Sequence, residues 1–558
     1  MQGRSRNFLA AGAVSAGEIE DLLRRLEAFR AAMPLILAGA NVSSPVPQQI
    51  VILDGPKALR AFSPQARSGR TPDLDGYFLP SPDVNYFVVA PAYGGSPARA
   101  LFHEYTHWVT YRSARGPIAT WISEGLAELY STTEFSGRTR ASLGAASARA
   151  IALQQGRWLP IAALISDDGA ARYLSSPGTA ELFYAESWAL VHYLVVGQRG
   201  VRAGQLQDFL TARAGGVSSR QAFEAAFRTT PDKLDILLRA YLSQPQLPLR
   251  TVQVPAAERE PVEVAPAPAW AALRLQGDLW TRVGRFDDAN RALEAAAVAN
   301  PAAPDVRQSL GVLRSSEGRF NDAIALLAPL TREQPEAFPA QYYLATALAR
   351  EQKHERAIAH YRIAAEVNGG VPSVWLGLSV SQAALARRRE ADEAMARVRA
   401  LDPDPVWLRM RAAAAWTLGD DADVVRDVVS YVDTIGLDSE DGRSAAWLGI
   451  LAGRRSPLRD DAQRLLDGVS RSVAPGSWSS EIAGFFRREF DGSTLLERAT
   501  TPTQLGEAHA YVGLMAVIDG DVLQARPHLE WVRDHGLPSA VEYRLVIDEI
   551  SRLAREGR

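Results

Sequence analysis

The sequence predicts two unlike halves: an α+β domain over residues 1–245 and an all-α solenoid of helical repeats over 270–403, continued by a related helical region over 404–558. Three observations predict this. Short apolar strands and amphipathic helices alternate through the first 130 residues; a 34-residue period begins at Gly277; and six prolines between Pro245 and Pro268 make 246–269 an extended linker. At 558 residues, 47% hydrophobic and 22% charged, the chain is long enough for several cores.

In chain order, Asn7–Ala13 reads as a strand and Ala16–Ala32 as a helix with Ile19, Leu22, Leu23, Leu26 and Phe29 on one face. Residues 49–54 (QIVILD) form a β-branched buried strand, 64–75 a loop rich in Pro, Gly and Ser, and 76–80 with 85–91 a hairpin around Ser81-Pro82-Asp83. The second hairpin strand precedes the next helix directly. It would serve as an edge or floor for an extended substrate, or only support that helix.

That helix starts at Ser96-Pro97 and stops at Gly116-Pro117. His103 and His107 stand four residues apart inside it, so both imidazoles leave one face about one turn apart and can share an ion. Glu104 lies about 100° round the helix, free to accept a proton from water. After the reversal, Trp121–Tyr130 reads as a second helix carrying Glu124 as third ligand, which leaves a fourth position open to water. Glu128, one turn on, suits an acceptor for a ligand imidazole N–H. With only 8 histidines in the chain, HExxH by chance is rare. The pattern points to zinc-dependent hydrolysis.

HEYTHW (103–108), PIATWISEGLAELY (117–130) and FYAESWALVHYL (183–194) together resemble the bacterial peptidase-MA-like domain, a gluzincin-type zinc metallopeptidase often followed by TPR repeats. The resemblance covers about residues 5–245 and implies a zincin-like fold. It makes His103, His107 and Glu124 zinc ligands, Glu104 the general base and Glu128 the acidic residue behind a ligand. No GxMEN-type exopeptidase motif precedes the HExxH helix, which sets the chain apart from the aminopeptidase N branch. Gluzincins commonly add a phenol or imidazole donor from a later helix, and Tyr184 is the candidate to stabilise the developing oxyanion.

Beyond Glu128 the pattern turns helical, beginning with RASLGAASARAIALQQGR and including a core helix at 181–196 in which His192 reads as a packing histidine. Further helices run to Leu242. TVQV and VEV in the proline-rich stretch would pair as a small edge ribbon. In the repeats, Gly277-x6-Gly284-Arg285-Phe286 recurs as Gly311-x6-Gly318-Arg319-Phe320, with Ala289, Ala323, Ala357 and Ala391 in phase and Pro301, Pro335 and Pro403 closing units. This pattern resembles TPR. A further pair is expected around Gly513, Gly520 and Ala525, and His354, His360, His509, His528 and His535 read as scattered surface residues.

A net charge of −3 without a long one-sign run argues against nucleic acid or an anionic membrane as partner. The absence of cysteine excludes disulfides, and no apolar run reaches membrane-spanning length. The first residues, MQGRSRNF, lack a signal-peptide pattern, whereas the family resemblance implies an exported or periplasmic protein whose signal peptide has been removed. The expected function is zinc-dependent peptide hydrolysis, with the solenoid recruiting a substrate or partner protein. The alternative is a repeat scaffold with a dormant peptidase-like domain.

Overall fold

The computed structural model describes residues 1–63, 75–90, 97–113, 118–137, 139–146, 153, 156, 158–166, 169–174, 176–214, 217–255, 261–437, 439–537 and 540–557. The expected helix start at Ser96, the stop at Gly116-Pro117 and most of the 64–75 loop fall outside these residues. The chain divides into two compact units, Met1–Val374 and Trp375–Arg558.

The first unit is built on a six-stranded mixed sheet in the order β4-β5-β3-β2-β1-β9. Its strands are β1 (Gln2–Arg4), β2 (Phe8–Gly12), β3 (Gln48–Ile52), β4 (Gly76–Leu79), β5 (Asn85–Val89) and β9 (Glu263–Ala265). The central β2, β3 and β5 are mutually parallel, and β4, β1 and β9 add antiparallel. β5 is therefore internal, which removes the edge alternative for it and leaves floor or support; the edges are β4 and β9.

Side chains alternate across this sheet, and both faces are covered. Ile50, Ile52, Phe87 and Val89 join the main core with helix α1 (Ala16–Ile36) and helix α3 (Pro97–Ser113). A capping box at Ser15 and Glu18 starts α1, and Phe29 on it stacks on Phe102 of α3 at 4.1 Å. Val51, Tyr86 and Val88 face the other way. They pack with Leu59 and Phe62 of α2 (Pro56–Phe62) and with Leu275, Leu279 and Trp280 of α11 (Ala269–Arg282), the first repeat helix.

Helix α4 (Thr120–Ser131) leads into a hairpin of β6 (Glu134–Ser136) and β7 (Arg140–Leu143), where the sequence reading placed helix from Arg140 onward. The small residues there suit close packing in either geometry, so periodicity did not separate them. β8 (Arg250–Gln253) pairs with β7 and β9 with β1, so the two strands of the proline-rich stretch do not form a ribbon with each other. Short α5 (Ile161–Leu164) and α6 (Gly169–Tyr173) precede α7 (Pro177–Val195), the buried central helix, and α8 (Ala203–Ala214), α9 (Ser219–Phe227) and α10 (Pro231–Leu242) complete the lobe. His192 of α7 is fully buried between the Gly144 carbonyl (2.9 Å) and the Tyr241 hydroxyl (2.8 Å), and burial pushes its pKa down to about 4.

The repeats follow as helix pairs: α11 with α12 (Phe286–Ala299), α13 (Pro304–Ser316) with α14 (Phe320–Glu333), and α15 (Phe338–Arg350) with α16 (His354–Asn368). Ala289, Ala323 and Ala357 are buried where paired helices touch. The turn inside each pair needs a left-handed residue: Gly284 and Gly318 supply it at φ 75° and 78°, and the same phase holds Gln352 and then Ala386 at φ 58°.

Helix α17 (Pro372–Ala384) spans the division between the units. The second unit continues the pairs through α18 (Arg388–Leu401), α19 (Val406–Leu418), α20 (Asp421–Ile435), α21 (Glu440–Arg455), α22 (Arg459–Ser472), α23 (Trp478–Phe486), α24 (Gly492–Arg498), α25 (Pro502–Ile518), α26 (Val522–His535) and α27 (Val541–Arg555). It is not an open run of pairs. The last helix returns to α19, where Trp416 donates to the Leu545 carbonyl and Arg455 joins Asp421 and Glu549. His509, His528 and His535 are also not scattered: they gather around Trp531, with His509 and His528 Nδ1 atoms 3.0 Å apart.

Candidate metal centre

Helix α3 lies in the core through Leu101, Phe102, Tyr105, Trp108 and Val109, which leaves His103 and His107 facing α4. The two helices bring three ligand atoms together. The Nε2 atoms of His103 and His107 are 3.1 Å apart, and Glu124 Oε2 lies 3.5 Å from the first and 3.4 Å from the second. Among the described residues this is the group of three His, Cys, Asp or Glu side chains whose ligand atoms converge.

The outer nitrogens have polar neighbours. His107 Nδ1 is 2.9 Å from Ser123 Oγ, and His103 Nδ1 is 3.6 Å from Glu128 Oε1. A carboxylate can only accept, so Glu128 favours the proton on Nδ1 of His103 and leaves the Nε2 lone pair for the focus of the site. Glu128 is buried, and Arg99 donates to its other oxygen at 3.4 Å.

The charges are mutually dependent. Burial opposes ionisation of Glu124, but its hydrogen bonds with His103 and His107 outweigh that and hold its carboxyl well below the usual range. Burial likewise opposes a charged His103, yet Glu124, Glu104 and Glu128 around it prevail and raise it to about 9. Such a nest of carboxylates favours a cation. Glu104 is half-buried; burial raises its carboxyl, partly offset by the two histidines. It faces β4 closely enough that a Cβ on Gly76 would lie 3.3 Å from its Cγ.

Gly125, beside Glu124, is where α4 meets α7. A Cβ there would sit 2.5 Å from Val191 Cγ2 and 2.9 Å from the Ser187 carbonyl carbon. Tyr184 is half-buried on α7, one turn before Ser187, so it stands on the helix that supports Glu124.

The sequence reading missed Ser123 and Arg99 as supporting residues. Arg99 carried a usable signal, since it precedes His103 by four and His107 by eight and so shares their face. Ser123 carried only its adjacency to Glu124.

A tetratricopeptide-repeat family model matches residues 309–371, from within α13 to just past the end of α16. The repeats are tetratricopeptide repeats. A second family model, described as a protein of unknown function (DUF1570), matches residues 99–212, which contain the triad, Glu104, Glu128 and Tyr184. No curated protein matches the chain. Among solved structures, a thermophilic TPR protein of Thermus thermophilus is similar at 19% identity, over 30% of this chain and 91% of its own, with a TM-score of 0.27. PilF of Pseudomonas aeruginosa matches at 17% identity over 40% and 98%, with 0.30. A tetratricopeptide repeat protein of Parabacteroides merdae matches at 12% over 50% and 99%, with 0.32. No helix among the described residues is long and apolar enough to cross a membrane.

Proposed function

We propose that the first unit is a zinc-dependent peptidase whose repeats recruit a protein substrate or partner. The observation that carries this is the triangle of ligand atoms at 3.1, 3.4 and 3.5 Å. Ligand atoms at about 2.0–2.1 Å from a tetrahedral zinc lie roughly 3.3 Å apart, so the three protein atoms fit one face of such a tetrahedron and leave its fourth corner open. The donor set of two imidazoles and a carboxylate suits zinc, and the Glu128 carboxylate beside His103 Nδ1 favours the ligating tautomer of that ring. When bound, the ion would supply Lewis acidity and lower the pKa of water at that corner.

The chain's own residues then do the following. Glu104, kept at raised basicity by burial, accepts the proton of the attacking water and returns it to the leaving amine. Tyr184 donates a hydrogen bond to the carbonyl oxygen as charge builds on it. The outer edge of β4, the last strand on that side among the described residues, pairs with an extended peptide backbone alongside Glu104. Cleavage of a peptide library by the zinc-loaded chain, lost with chelator and in Glu104→Gln, is the test; equal cleavage by Glu104→Gln would refute the assignment.

The tetratricopeptide repeats also favour a second reading, a scaffold with a dormant peptidase-like domain. It expects partner binding that is indifferent to Glu104→Gln and no hydrolysis at any zinc loading.

A further inference from the structure

The second face of the sheet is covered by repeat helices, and the contact is polar as well as apolar. Asp83, in the β4–β5 turn, is buried, and its Oδ1 accepts from Arg282 Nη2 at 2.7 Å and from the Tyr343 hydroxyl at 2.9 Å, besides the Ser81 hydroxyl. Arg282 Nη1 also donates to Tyr343 at 2.8 Å, which closes a three-residue ring. Arg282 ends α11 and Tyr343 stands on α15, so two separate repeats grip one hairpin turn.

The other end of β4 is gripped through α2. Tyr77 of β4 donates to the Phe62 carbonyl at 2.6 Å, Phe62 stacks on Trp280 of α11 at 4.8 Å, and Arg285 donates to the Ala61 carbonyl at 2.7 Å. Gly76, next to the gripped Tyr77, is where a Cβ would lie 3.3 Å from Glu104 Cγ. Edge strands are ordinarily held on one side only and exchange readily. Here β4 has β5 on one side, repeat side chains at its turn, and at its other end α2, which itself packs on α11.

We propose that Arg282 and Tyr343 are positioning residues for the catalytic strand: through Asp83 the first and third repeats fix β4 against Glu104, so the repeat array is part of the catalytic unit rather than a tethered recruiter. The inference rests on the peptidase reading for its catalytic consequence, but its mechanical content does not. An isolated buried Asp–Arg pair would be a costly way to join two domains. The added Tyr343 hydroxyl satisfies the charge and fixes one geometry for the turn.

The experiment compares the full chain with Tyr343→Phe, which deletes one hydroxyl, and with Asp83→Asn/Arg282→Met, which removes both charges and avoids leaving either buried alone. Backbone hydrogen exchange is read at 76–79 and at 8–12 and 48–52, alongside zinc content and peptide hydrolysis. The proposal expects exchange at 76–79 to rise about tenfold in Tyr343→Phe, the scale of one hydrogen bond to a charged acceptor. Exchange in β2 and β3 and zinc content stay unchanged, and KM rises more than kcat falls. Exchange at 76–79 that is unaltered in both variants, or that rises equally in β2 and β3, overturns the clamp. Absence of hydrolysis in the unaltered chain refutes the peptidase reading instead, and the exchange data still decide the clamp.

Discussion

Gly125→Ala isolates the role of helix packing in building the centre. The added Cβ would press on the Ser187 carbonyl oxygen, closer even than the 2.5 Å to Val191 Cγ2, and because ordinary contact begins at 3.4 Å and that oxygen is backbone, α4 and α7 must separate locally by about 1 Å. Overpacking of that kind costs about 1–3 kcal/mol. Alanine returns about 1 kcal/mol of helix propensity, so the net loss is about 0–2 kcal/mol. Because Glu124 precedes the altered residue, its carboxylate shifts against His103 and His107, and zinc affinity should fall about 10- to 100-fold, as when a ligand's support is removed. Competition with a chromogenic chelator gives the affinity and thermal unfolding the stability. Gly506→Ala is the control: it lies within α25 with open space around its Cβ position and should gain stability. Zinc affinity and Tm of Gly125→Ala at or above the unaltered values would refute the claim that this contact sets Glu124.

Three other outcomes follow from the same structure. His192 has a folded pKa of about 4 against an ordinary 6.5, so the unfolded chain binds the proton first as pH falls; its contribution is complete above 6.5 and lost between 6.5 and about 4, by about 3 kcal/mol. A His192→Gln chain should show a flatter stability profile in that window, and an unchanged slope would count against it. Ala386→Gly, at a left-handed turn position, should raise stability by roughly 0.5–1 kcal/mol in thermal unfolding, because glycine takes φ 58° without the Cβ penalty. Tyr184→Phe should lower kcat by about 10²- to 10³-fold with zinc content unchanged, and an unaltered kcat would return Tyr184 to a packing role.

The triad was legible in the sequence because its geometry is local: four residues fix two imidazoles on one helix face, and a short reversal brings in the next helix. The repeats were legible because their small residues recur at contact points. What escaped is long-range. β1 and β9 are three residues each and pair across some 260 positions, too short for a periodic signal. The strands β3 and β5 read as buried, but nothing in IVI or YFVV says that a repeat helix covers one side. His509 and His528 meet across two helices at a separation of 19, which no motif spacing marks.

In the proposed centre His103, His107 and Glu124 hold one zinc ion, with Glu104 beside it and not on it. Elemental analysis of the full chain after zinc reconstitution and desalting tests this most directly. One zinc per chain is expected, retained in Glu104→Gln and lost in His103→Ala and His107→Ala. No transition metal in the unaltered chain, or full zinc content when both histidines are replaced, would contradict it.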